Sequence, residues 1–141
     1  MLKPDLVPYF CGAEAGAVVA VTVAGHDEAD GLTRLAFPGG EFLVPRLDLA
    51  VGSRRRVRIH ARDVALARVE PAAISMLNVL RGTVAEVGGA ERPQVDVLVD
   101  VGVRLWARIT RKSAAALGLS PGVPIYALIK SVAVDPGEAG R

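Results

Sequence analysis

Hydrophobic and polar residues alternate along this chain in short runs, and the runs stop at glycine or proline. Ala17-Val-Val-Ala-Val-Thr-Val23 is long enough for a strand and far too short to span a bilayer. His26-Asp-Glu-Ala-Asp-Gly31 supplies turn chemistry before Leu32-Thr-Arg-Leu-Ala-Phe37, so the three segments predict a hairpin. Pro38-Gly-Gly40 turns the chain again into a short strand over Glu41 to Val44. From Arg54 to His60, Arg54, Arg56 and Arg58 alternate with Arg55, Val57 and Ile59, the pattern of a strand with one wet face.

The second half repeats the plan. Val79 to Val87 reads as a strand with Gly82 inside it, where a bulge or a close backbone approach is expected. Gly88 to Pro93 turns the chain into Gln94–Val101, which puts Val95, Val97, Val99 and Val101 on one face. Gly102 then leads to Val103–Ile109. One helix is signalled, with Thr110 as N-cap, Arg111–Leu117 as its body and Gly118 as its stop.

The two halves also end alike. Gly52 to Ile59 lies without a gap on Gly122 to Ile129, which sets His60 on Lys130. A repeat of roughly sixty residues implies two copies of one module, each too small to bury much core alone. Short strands, glycine and proline turns and one brief helix predict an all-β fold, two small OB-like β-barrel modules. The expected organisation is a leading linker over 1–15, a first, degenerate module over 16–70, a second over 71–135 and a tail over 136–141.

Composition narrows the chemistry. The net charge is +2, and only 4% of residues are aromatic, too few rings for a platform on which single-stranded bases stack. Cys11 is the single cysteine, so no disulfide forms within one chain, and a cytoplasmic location is the default expectation. Asp27, Glu28 and Asp30 lack the regular spacing and late glutamate of a calcium loop and read as a solvated turn. No phosphate-cradling Gly-Lys-Ser/Thr loop and no Gly-x-Ser-x-Gly elbow occurs. Neither His26 nor His60 has a neighbouring acid and nucleophile whose proximity the sequence can establish. The chain is therefore expected not to be an enzyme and to need no cofactor.

Ile74-Ser-Met-Leu-Asn-Val-Leu-Arg-Gly-Thr-Val84, then Leu105-Trp-Ala-Arg-Ile-Thr110, Leu117-Gly-Leu-Ser-Pro-Gly122 and Tyr126-Ala-Leu-Ile-Lys-Ser131, resembles the Mop module of molybdate-binding proteins. Val44-Pro-Arg-Leu-Asp48 with Val57 to Leu66 is similar to the C-terminal region of the ATP-binding subunit of molybdate ABC importers, the TOBE or di-Mop domain. The resemblance implies a homodimer that binds molybdate or tungstate and regulates an ATPase domain of the same subunit and, through it, a membrane permease. It implies a domain without its motor, peripheral to the inner membrane, with no nucleic-acid partner.

The residues support an anion site on their own terms. Ser75 offers a hydroxyl, Asn78 an amide, Met76 and Leu77 their backbone N–H groups, Lys130 a positive charge and Ser131 a second hydroxyl. Charge matters most, because a buried dianion without a cation is too costly. The family motif often reads Ser-Ala-Arg-Asn, and here Leu77 stands where the arginine would be. The site is then weaker, draws on Arg62 or Arg108, or has become a dimer contact. Three functional readings follow: an oxyanion-sensing domain, a dimerisation or docking module without a ligand, and a nucleic-acid binder, the last disfavoured by the lack of a helix-turn-helix.

Overall fold

The computed structural model describes residues 6–8, 16–89 and 91–135. Among the described residues it is all-β apart from a 3-10 turn at Ala61–Asp63 and one α-helix, α1, at Arg111–Leu117. The strands are β1 (Leu6–Pro8), β2 (Gly16–Asp27), β3 (Leu32–Phe37), β4 (Gly40–Pro45), β5 (Arg54–His60), β6 (Val64–Ala67), β7 (Asn78–Gly88), β8 (Gln94–Asp100), β9 (Arg104–Thr110), β10 (Pro124–Ile129) and β11 (Ala133–Val134). They form two antiparallel sheets, one ordered β11-β5-β2-β3-β4 with β1 also on β2, the other β6-β10-β7-β8-β9.

The duplication is visible in the hydrogen bonds. Val23 N–H donates to Ser53 O at 2.9 Å and accepts at its carbonyl from Gly52 N at 2.8 Å. Val84 makes the same pair with Val123 O and Gly122 N, at 2.9 and 2.8 Å. Gly52 and Gly122 have φ of 91° and 94°, and β2 and β7 each carry an irregularity in register just after that valine. Each sheet thus has the same order, but its end strand comes from the other copy: β6 follows the first copy's β5 and joins the second sheet, while β11 follows β10 and joins the first. Leu6–Pro8, within the segment expected to be a loose linker, pairs with β2 at Ala17–Val19. Cys11 and the tail from residue 136 lie outside the described residues.

Period-two alternation builds the interior. Val57 and Ile59 on β5 and Val95, Val97 and Val99 on β8 are buried in one continuous cluster that draws on both copies. Arg54, Arg56 and Arg58 take the wet face, whereas Arg55 is buried and donates from Nη1 to the Arg54 carbonyl at 2.7 Å. A second, smaller cluster lies apart from it, where Ala61 of the 3-10 turn packs with Leu98 and Trp106, cross-strand neighbours on β8 and β9. Phe37 and Phe42 stack with ring centroids 4.3 Å apart. His26 is a satisfied histidine: Nε2 lies 2.7 Å from the Leu49 carbonyl and Nδ1 2.8 Å from Thr33 Oγ1, which also accepts the Leu47 N–H. Because a carbonyl can only accept, Nε2 carries the proton. The acidic turn is fastened by Glu28 to Arg46 at 3.1 Å.

Candidate functional site

Lys130 and Ser131 lie just past the end of β10, in the crossover to β11, rather than within a final strand as the alternation alone suggests. The chain has to leave the second sheet there to reach the first. The Lys130 N–H donates to the Asp63 carbonyl at 2.7 Å, extending the β6–β10 pairing and tying this crossover to the equivalent one in the first copy. The Lys130 side chain is exposed and lines an open depression of about 470 Å³ with Met76, Arg108, Thr110, Ser113 and residues 62–65.

Met76 and Lys130 are therefore brought together. Ser75, Leu77, Asn78 and Ser131 are not part of this lining. Ser75 and Leu77 stand exposed in the irregular segment before β7. Asn78 is committed elsewhere, since its Oδ1 accepts the Leu43 N–H at 2.7 Å and its Nδ2 donates to the Leu43 carbonyl at 2.9 Å. A primary amide matches the donor and acceptor of a peptide group, so Asn78 serves as a one-residue strand partner for β4. Both polar atoms of the amide that the sequence offers to an anion are thus engaged with Leu43.

Arg108 faces Asp96 across the β8–β9 ladder in a two-point contact, Nε to Oδ1 at 2.8 Å and Nη2 to Oδ2 at 3.3 Å. The hydrogen bond to Asp96 raises the arginine's pKa above its ordinary value, burial opposes this, and Coulomb attraction adds to it. The charge is permanent, but it is already partnered. Thr110 and Ser113 were invisible as site residues because Thr110 fully explains itself as a helix cap. Its Oγ1 accepts the Ser113 N–H at 3.0 Å and lies 3.0 Å from Ser113 Oγ. The available signal is two hydroxyls three residues apart where a strand meets a helix, close to the depression that holds the lysine.

This architecture defines a class: paired OB-like modules, the second of which matches the TOBE domain family over residues 74–136. Beyond that match, the chain is 43% identical over 139 residues to the molybdenum import ATP-binding protein ModC of Paramagnetospirillum magneticum, covering 98% of this chain and 38% of that protein. The Azotobacter vinelandii counterpart is 49% identical over 137 residues, covering 95% of this chain and 37% of that protein. Among solved structures, the cytoplasmic molybdate-binding protein ModG with molybdate bound superposes with a TM-score of 0.67 at 25% identity, covering 84% of this chain and 92% of that one. The chain carries a TOBE domain and, over nearly its whole length, is homologous to the ATP-binding subunits of molybdenum importers; it spans about 38% of their length.

Proposed function

We propose that this chain is the oxyanion-binding regulatory part of the ATP-binding subunit of a molybdate importer, taking molybdate or tungstate and reporting its level to an ATPase domain and a membrane permease on the cytoplasmic side. The observation that carries the reading is the depression at Lys130, where an exposed ammonium, the Thr110 and Ser113 hydroxyls and the Met76 segment converge. It lies in a fold shared with a protein that holds molybdate. A tetrahedral dianion needs fixed donors and a cation and no metal or cofactor of its own. Discrimination against sulfate comes from size, since an ion too small for the donors leaves some of them unpaired.

Titration calorimetry with molybdate, tungstate and sulfate tests this. Saturable heat is expected for the first two, and Lys130→Ala is expected to weaken binding at least tenfold, about 1.4 kcal/mol. Absence of binding heat and of any rise in melting temperature at millimolar anion would remove the sensing role.

A second reading, a dimerisation module without a ligand, is favoured by Leu77, which is 56% exposed where an anion-binding arginine was expected. Val69 and Ile74 on the same connecting segment are 75% and 44% exposed. Both readings bury these side chains in a homodimer. Light scattering at tens of micromolar is expected to give the mass of two chains, and the mass of one chain would count against both.

A further inference from the structure

We infer that the depression in the second copy is completed by the first, with Arg62 supplying the charge that makes it an anion site and Asp63 holding its affinity down. This rests on the oxyanion reading above and names the residues that set its strength. Because β6 belongs to the second sheet, the 3-10 turn that precedes it is delivered to the mouth of the second copy's depression. Two contacts pin that turn. Ala61 is fully buried with Leu98 and Trp106, and the Asp63 carbonyl accepts the Lys130 N–H at 2.7 Å. Arg62, between them, is exposed and lines the depression.

The balance of charge makes Arg62 decisive. Arg62, Arg108 and Lys130 line the depression together with Asp63. Asp96 matches Arg108 from the neighbouring strand at 2.8 Å. Three cations thus face two carboxylates, and among the described residues neither Arg62 nor Lys130 stands in an ion pair. Without Arg62 the cluster is neutral and gives a dianion no net attraction. A guanidinium also presents paired N–H donors, which suit two oxygens of one tetrahedral ion. Arg62 therefore takes over the part left vacant by Leu77, from a different place in the chain. Asp63 is the repulsive element beside it.

The test is a calorimetric titration of the full chain with sodium molybdate and sodium tungstate, in wild type, Arg62→Ala, Arg62→Gln, Arg62→Lys and Asp63→Asn. The expected result is a loss of about tenfold or more for Arg62→Ala and Arg62→Gln, recovery of most of it by Arg62→Lys, and tighter binding than wild type for Asp63→Asn. Melting temperatures without anion are expected to match wild type, because Arg62 is exposed and Asp63 makes its structural bond through the backbone. Wild-type binding with Arg62→Gln unchanged would overturn this inference and leave the oxyanion reading standing. Unchanged or weaker binding in Asp63→Asn would overturn the part given to Asp63. No binding by wild type would overturn the oxyanion reading and this inference with it.

Discussion

Gly102→Ala is expected to destabilise the fold by about 4 kcal/mol or more, a large share of the roughly 5–15 kcal/mol that keeps an ordinary domain folded. The β3–β4 turn of one copy and the β8–β9 turn of the other meet backbone to backbone. A Cβ on Gly102 would sit 2.2 Å from Gly39 Cα and 2.7 Å from Gly39 N. The φ of Gly102 is +103°, which an L side chain rarely adopts, so strain adds to the overlap. Gly39→Ala is expected to be as severe, because its Cβ would meet the Val101 carbonyl oxygen at 1.8 Å and the Phe37 ring at 2.7 Å. The nearest atoms are backbone in both cases, so no side-chain movement relieves either overlap. Chemical denaturation checks both, with Gly31→Ala as comparison: its φ is also positive, at +66°, but nothing lies within 4 Å. If Gly102→Ala costs no more than Gly31→Ala, the contact between the turns is not tight in solution.

The second large effect is expected at Asn78. Asn78→Ala removes both bonds to Leu43 and leaves that residue's N–H and carbonyl without their partner, at about 1–3 kcal/mol for an unsatisfied buried group. Asn78→Asp is expected to be at least as damaging, since it keeps the acceptor for the Leu43 N–H but sets a carboxylate oxygen against the Leu43 carbonyl. Denaturant midpoints measure the loss. If either variant is as stable as wild type while anion binding disappears, Asn78 acts on the ligand and not on the fold.

The local elements were legible because their signals are local. Thr110 and Gly118 bound the helix as expected, with Thr110 accepting the Ser113 N–H at 3.0 Å and Gly118 at φ 63°. Gly82 marks a close approach, its would-be Cβ 2.1 Å from the Asp100 carbonyl oxygen. The aligned glycines 52 and 122 do mark equivalent turns. What the residue pattern could not carry is partnership across the chain. Val64–Ala67 and Ala133–Val134 are apolar fragments whose sheet is chosen by the packing of both copies, so nothing near them says that they exchange. The same holds for the site. The repeat singles out Lys130, spacing alone does not rank Arg62 against Arg108, and the bonds of Asn78 run to Leu43, 35 residues away, where no local pattern announces them.

The exchange of end strands also sets the order of events in folding. Strands β2 to β5 emerge before the second copy during synthesis, yet the sheet they form is finished only by Ala133 and Val134. The second sheet, in turn, needs Val64–Ala67 from the earlier half. Such distant closures are slow, because loop entropy is lost before the contacts repay it. Until then β5 keeps an open edge able to pair with another chain, and its exposed arginines at 54, 56 and 58 are the kind of charge that discourages such pairing. The arginines that read as the wet face of a strand thus have work to do before the native state exists.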